Sequence, residues 1–397
     1  METTVLQTDI AIIGGGVAGL WLLNQLRARG YSAVLFEHDA LGSQQTIASQ
    51  GMIHGGIKYA LGGSLSGAAR AIAAMPGRWR AALAGQGPVD LRGCEILSEY
   101  VHLWSSARPS SRLSAFLASK FLRGHVQPLS RGEFPPALND DAFTGQVYRL
   151  DDLVLDIPSL LRTLARPQNE AIVSIDWCDS SLHAAGGSAQ LSLPGCRVLA
   201  QQFVLTAGAG NAALLAGLGA ATPSMQRRPL QQVLVRHDYP GRLFGHCLGH
   251  SATPRLTVST HRMRDGRPVW YLGGDLASDP DTPPDSLIDA ARRELQELLP
   301  WIDLGDSEWR TLRMDRAEAA QIGRARPDCA FVDRVTAVDN AIVAWPTKLT
   351  LCPDLADGVE ALLAARDIRP RLRTDLNHLA HLGKPGFAPA CWDTLFQ

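Results

Sequence analysis

Residues 8–13 form a short, nearly unbroken apolar run, which predicts a strand buried on both faces of a parallel sheet. Residues 14–19, GGGVAG, interrupt it. Over residues 17–29 the apolar positions return at helical spacing, with Leu20, Leu22, Leu23 and Leu26 on one face, until Gly30 ends the helix. Residues 32–37 read as a second buried strand. A strand, a helix and a strand within about 30 residues predict a doubly wound nucleotide-binding domain. Farther along, residues 198–206 form another buried strand that runs into the glycine turn 207–210, and residues 341–345 form a last one. Between them, residues 227–237 and 255–272 alternate as strands of an antiparallel sheet do, and residues 287–299 read as a helix stopped by Pro300. A final long helix is expected over 355–366. The strands of one nucleotide-binding domain thus arrive in separated pieces. The fold class is α/β, with the nucleotide-binding domain at 1–84, 151–224 and 317–397. The inserted α+β substrate domain, built on the antiparallel sheet, is expected at 85–150 and 225–316.

Less regular stretches lie between these elements. Residues 41–63 are rich in Gly, Ser, Gln and Thr without a clear period and are expected to be an extended loop with ligand-facing backbone. Residues 66–84 predict a helix interrupted near Pro76 and Gly77. Residues 112–123 place Leu113, Phe116, Leu117 and Phe121 on one face, with Arg112, Lys120 and Arg123 around it. Such a basic amphipathic helix is expected to be half-buried, with a weak peripheral membrane contact as the alternative.

Composition narrows the classes. Of 397 residues, 38 are Lys or Arg and 39 Asp or Glu, a net charge of −1, so no nucleic-acid partner is expected. The apolar run 10–23 is short of the roughly 20 residues that a membrane span needs, and no later run is longer. Residues 1–9 carry no basic n-region, so no secretory signal is expected. Seven scattered cysteines without a CxxC pair fit free thiols in a reducing cytoplasm, where the protein is expected, with a place peripheral to the inner face of a membrane as the variant that residues 112–123 would support. His246, Cys247 and His250 have spacings compatible with zinc. No second ligand pair accompanies them, and no metal is expected.

The chemistry starts at GGGVAG, with Gly14, Gly16 and Gly19 at the GxGxxG positions. A dinucleotide needs a tight turn, backbone that approaches a pyrophosphate without a Cβ in the way, and a helix N-terminus facing the phosphates. Glu37 ends the next strand, 18 residues after Gly19, where a carboxylate can bind adenosine ribose hydroxyls. After this unit comes GSQQTIASQGMIHGGIKYALGG, residues 42–63. Together they resemble the FAD-dependent oxidoreductases of the D-amino-acid oxidase superfamily. GMIHGGIKY is most similar to the corresponding loops of glycerol-3-phosphate dehydrogenases and L-2-hydroxyglutarate dehydrogenases. The resemblance implies a glutathione-reductase-like FAD-binding domain with FAD as cofactor. By position it assigns Ser43, Thr46 and Ser49 to the pyrophosphate and ribityl side, and Gly51, His54 and Gly55 to the flavin edge. For His54 it leaves non-covalent contact with flavin or substrate, covalent flavin attachment and a structural role open. FVLTAGAGN, with Gly208, resembles the strand and turn that pass under the dinucleotide. WPTKLTLCPDLA resembles the C-terminal segment at the flavin's pyrimidine end, which implies contacts from Lys348 and Thr350. Trp345-Pro346 departs from that pattern, since relatives usually place glycines there. Residues 149–153 and 324–328 resemble two further segments of the family.

The activity implied is FAD-dependent dehydrogenation of a small anionic substrate at a carbon bearing OH, with the hydride passing to flavin N5. Oxidation of an amine or amino acid is the alternative, followed by a non-catalytic flavoprotein and an enzyme acting on an RNA base. The electron acceptor is left open among a quinone, oxygen and an electron-transfer protein. Lys58 stands where glycerol-3-phosphate dehydrogenases carry an anion-facing Arg, and reads as an anion contact or a solvated surface residue. Arg316 is a candidate anion clamp or ion-pair member. Tyr271, with Trp270, lines the pocket or the core. His54, Tyr59 and His250 are the candidates for the base that removes the hydroxyl proton.

Overall fold

The computed structural model describes residues 4–55, 67–106, 126–249, 253–324, 327 and 329–397. The chain opens with β1 (Thr4–Ile13), α1 (Val17–Ala28) and β2 (Ala33–Glu37). β1 is parallel to β2 and, on its other side, to Cys196–Leu205, with Ile13 opposite Phe36 and Leu205. Ala341–Trp345 pairs in parallel with the far side of Cys196–Leu205. Four strands drawn from three separated stretches of sequence therefore end side by side. A crevice outside the carboxyl ends of such strands is where this architecture binds ligands. A hairpin (Ser181–Ala185, Ser188–Leu193) and the strand Ile172–Ser174 extend the sheet, and the apolar runs did not announce either.

A second eight-stranded sheet runs Glu308–Ala319, Met225–Arg236, Pro268–Gly273, Leu256–Arg262, Gly245–Cys247, Val101–Ser105, Gln146–Leu150 and Val126–Pro128. Its antiparallel character is as the alternation predicts, with one exception. Gly245–Cys247 lies parallel to Val101–Ser105, because these strands come from distant segments that no hairpin joins. The helix Pro284–Leu298 covers one face with Leu287, Ala291, Leu295 and Leu298, a spacing that keeps one stripe buried. Val233, Val235, Val258, Trp270 and Leu272 pack beneath it. The opposite face looks toward the first sheet.

The helix expected to break at Pro76 does not. Gly67–Leu83 runs through the proline, although an interior proline costs about 3 kcal/mol. Packing overrides it. Met75 and Trp79 are buried, the Trp79 ring lies 4.7 Å from that of Trp21, and its Nε1 donates to Thr350 O at 3.0 Å. Among the described residues no helix is long and apolar enough to cross a membrane. The amphipathic stretch 112–123 lies outside them.

Candidate dinucleotide and substrate cavity

The three motif glycines do different work. Gly14 has φ +114°, and a Cβ there would lie 2.7 Å from both Cα and N of Ala207. At Gly19 a Cβ would lie 2.0 Å from Gly14 O. These two let the turn, α1 and the strand ending at Leu205 pack backbone to backbone. Gly16 has an ordinary φ of −71°, and the nearest atom to its missing Cβ is Thr46 Oγ1 at 3.2 Å. Gly16 faces a cavity, so its missing side chain leaves room for a ligand. α1 begins there with no acidic residue in its first turn and no side-chain cap from Gly16. Val17 N donates to Thr46 Oγ1 at 3.2 Å, and the positive end of the helix faces the same space.

Glu37 is buried at the tip of β2. Its Oε2 accepts from Gly15 N at 2.5 Å, and its Oε1 accepts from His38 N and Asp39 N at 2.8 and 2.9 Å. The carboxylate is thereby fixed at the cavity wall, where ribose hydroxyls can donate to its remaining lone pairs. The cavity measures about 1330 Å³ and extends from the ends of the first sheet to the second. Sites for single small ligands are usually about 300–1,000 Å³, so this one has room for a dinucleotide and a substrate. Ser43, Thr46, Ser49, His54, Gly208, Lys348 and Thr350 all line it, as does Arg316.

The local architecture explains these placements. Thr350 Oγ1 accepts from His54 N at 3.2 Å, tying the loop after Met52–Ile53 to the segment before the helix Cys352–Ala365. Gly55 N donates to Asp152 Oδ1 at 2.7 Å. Trp345, where a glycine was expected, lines the cavity and is fully buried; it donates from Nε1 to Gly208 O at 2.9 Å and so supports the turn under the cavity. Three expected contact residues lie behind the wall. Gly19 packs on Gly14. Gly51, at φ +74°, would bring a Cβ within 2.1 Å of Leu155 O, so it serves the pairing with Leu153–Leu155. Gly55 is absent from the lining and acts through its N–H to Asp152.

These residues fit FAD: a cradle that Gly16 leaves open, a helix start with no acidic residue in its first turn, and a fixed carboxylate on the same cavity wall. A family model described as FAD-dependent oxidoreductase (DAO) matches residues 9–344. The chain belongs to this family. It is 47% identical over 393 residues to a probable FAD-dependent oxidoreductase of Pseudomonas aeruginosa, covering 98% of this chain and 99% of that one. The crystal structure of an FAD-dependent oxidoreductase from Pseudomonas aeruginosa aligns over 100% of both chains with a TM-score of 0.86 and 43% identity. Glycine oxidase from Geobacillus kaustophilus aligns at TM-score 0.64 and 19% identity over 94% of this chain and 97% of that one. Dithionite-reduced L-α-glycerophosphate oxidase from Mycoplasma pneumoniae with FAD bound aligns at 0.62 and 15%, over 95% and 98%. The last two share the fold.

In this FAD-dependent oxidoreductase the second sheet forms the other wall of the cavity. His246, on Gly245–Cys247, lines it, with Nδ1 2.9 Å from Thr257 Oγ1 on the neighbouring strand. Thr257 lines it too. The sequence drew attention to His246 only through a metal-like spacing. Cys247, next in the strand, is buried on the opposite face against Leu256 and Val258, as period-two alternation requires. Arg316 sits directly across from Arg228 in the pairing of their strands. Arg228 is committed to the fully buried Glu318, at 2.9 and 3.2 Å.

Tyr271 does not reach the cavity. It is fully buried, donates to Ala48 O at 2.8 Å and lies 3.1 Å from Gln232 Oε1; burial pushes its phenol up. Trp270 faces the core under Pro284–Leu298. Lys58, Tyr59 and His250 lie outside the described residues, as do most of 324–328. Gln50 and Gln232 also line the cavity and carried no signal in the sequence beyond their place beside the GMIHGG loop and on an alternating strand.

Proposed function

We propose that this oxidoreductase dehydrogenates a small anionic substrate at a carbon bearing a hydroxyl group. The observation that carries the reading is His246, held through Thr257 on the wall that faces the cofactor segments, in a cavity also lined by Arg316 and Lys348. Bound FAD supplies a hydride acceptor at N5. The chain must then hold the donor carbon near that acceptor and remove a proton from the hydroxyl. His246 Nδ1 lies 2.9 Å from Thr257 Oγ1, and in the tautomer whose Nδ1–H donates to that oxygen, Nε2 is the basic atom that takes the proton. Arg316 and Lys348 supply positive charge for a carboxylate or phosphate. A neutral amine donor has no hydroxyl proton for a base to remove, whereas the carboxylate of an amino acid would use the same cations, so the base is what favours the hydroxyl donor.

The test is anaerobic mixing with 2-hydroxy acids, phosphorylated polyols and amino acids, following loss of the flavin's visible absorbance. Hydroxyl donors are expected to bleach it. His246→Asn is expected to retain FAD and lower the rate roughly a hundred- to ten-thousandfold, the usual contribution of a positioned base. Bleaching by amino acids alone, or an unimpaired His246→Asn, overturns the proposal.

A further inference from the structure

The strand Leu256–Arg262 carries a polar row on its cavity side: Thr257, Ser259 and His261, spaced by two. Thr257 lines the cavity. Ser259 and His261 continue the row under the C-terminal helix Cys391–Leu395 and are buried, at 0% and 1% exposure. An apolar row would pack there without leaving polar atoms to satisfy. His261 stacks on Trp392 with ring centroids 4.2 Å apart and planes 24° from parallel, and Trp392 Nε1 donates to Arg262 O at 3.0 Å. Burial, with Arg242 as a lesser cause, brings His261 down to about 3, so its imidazole is neutral.

Counting donors and acceptors gives this row a direction. Gln50 lines the cavity, and its Nε2 lies 2.6 Å from Tyr271 O and 3.3 Å from Ser259 Oγ. Tyr271 O can only accept, so the amide nitrogen must face it, and a flipped amide would set oxygen against oxygen. Both Nε2 hydrogens are then used. Ser259 Oγ accepts one of them, which leaves the Ser259 proton for His261 Nε2 at 2.8 Å. His261 Nδ1 therefore carries the ring's own hydrogen, and this buried atom reaches no partner among the described residues. A phenylalanine could make the same stack without that unpaired donor. A buried polar chain kept at such a cost calls for an explanation. The chain ends at Gln50 Oε1, an acceptor fixed on the cavity wall. A side chain on Gly273 would start 3.0 Å from Gln232 Nε2 and 3.5 Å from Gln50 Oε1, so the glycine leaves room for both amides.

We propose that Gln50 is a recognition residue whose amide oxygen accepts a hydrogen bond from an N–H or O–H group in the cavity, and that Ser259 and His261 are positioning residues that fix this orientation. Two groups can supply such a donor: an N–H of the isoalloxazine and the hydroxyl or amine of the substrate. The inference does not depend on which donor class the enzyme oxidises.

The test uses the FAD-loaded enzyme and the variants Gln50→Leu, Ser259→Ala and His261→Phe, the last of which keeps the stack on Trp392. Without substrate, the FAD dissociation constant, the visible band shape and the flavin reduction midpoint are measured. With the best donor, KM and kcat are measured separately. If the flavin supplies the donor, the substrate-free quantities move in all three variants. If the substrate does, they stay fixed while KM rises. Either way the expected change is roughly two- to tenfold for Gln50→Leu, the range for one net hydrogen bond, and smaller for the other two. Adding Ser259→Ala to Gln50→Leu is expected to produce no further change, since Ser259 acts only through Gln50. The proposal fails if Gln50→Leu moves neither set of quantities. It also fails if Ser259→Ala and His261→Phe alter only thermal stability, or if the double variant shows the full sum of the single effects. Ser259→Ala removes one oxygen atom and keeps the test open should Gln50→Leu not fold.

Discussion

The clearest single perturbation is Gly16→Val. With φ −71° and ψ 177°, Gly16 has backbone angles that any residue adopts, so valine adds no backbone strain. Its Cβ would touch only Thr46 Oγ1, at 3.2 Å, a hydroxyl that can shift by a few tenths of an ångström. The two methyl groups would project into the cavity where the pyrophosphate must approach. The apoprotein is therefore expected to fold with nearly wild-type stability and to bind no FAD. Because FAD binds only the folded protein, the wild type gains about 2.7 kcal/mol at a hundred times Kd and about 4.1 kcal/mol at a thousand times. The variant is expected to gain none. Thermal unfolding of both apoproteins across an FAD titration, with bound flavin measured by absorbance, reads this directly. Gly14→Ala is the contrast. At φ +114°, with Ala207 backbone 2.7 Å away, it should destabilise the apoprotein itself, by on the order of 1–3 kcal/mol from the backbone alone. A Gly16→Val protein that remains yellow and is still stabilised by FAD would refute the division of roles between these glycines.

Glu37→Gln puts an amide NH₂ where three backbone N–H groups now donate to a carboxylate, so both the apoprotein's melting temperature and its FAD affinity should fall. The loss is about 1.5–3 kcal/mol, checked by calorimetric titration, and an unchanged Kd would remove Glu37 from the cofactor site. Trp392→Ala should cost about 3–5 kcal/mol, since the ring is buried, stacked on His261 and bonded to Arg262 O; urea unfolding measures it, and a loss below about 1 kcal/mol would contradict the packing. Burial brings His102 and His237 down to about 4 and His261 to about 3. The unfolded chain takes up these protons below about pH 6.5, while the folded protein resists until its own lower values. The stability is thus fully present above about pH 6.5 and is lost toward about pH 4, by on the order of 1.4 kcal/mol per unit for each histidine. His237→Phe should flatten that acid limb, and identical urea midpoints against pH for variant and wild type would argue otherwise.

What the sequence determined is what lies within one local unit. β1, the glycine turn, α1, β2 and Glu37 occupy residues 4–37, and their order alone implies a crevice, a helix terminus and a carboxylate around one ligand. Alternation over 227–237 and 255–272 likewise announces three strands of the second sheet, Met225–Arg236, Leu256–Arg262 and Pro268–Gly273. Periodicity states which residues share a face, and it is silent on what that face meets. Position puts Gly51 at the flavin edge and leaves Tyr271 open between pocket and core; both pack behind the wall, because Leu155 and Ala48 arrive there from other segments. Pro76 read as a break, and the buried Trp79 holds the helix through it. His246 acquires its meaning from Thr257, a strand partner 11 residues away, and Gln50 from Ser259, 209 residues away. Such pairings follow from strand order, which places the first sheet's carboxyl ends against the polar face of the second. The glycine turn, the helix start and Glu37 are legible in the sequence, since they are neighbours along the chain. Only the tertiary structure decided the opposite wall, because hydrogen-bond partners there are brought together by the packing of two sheets that the chain visits in alternation.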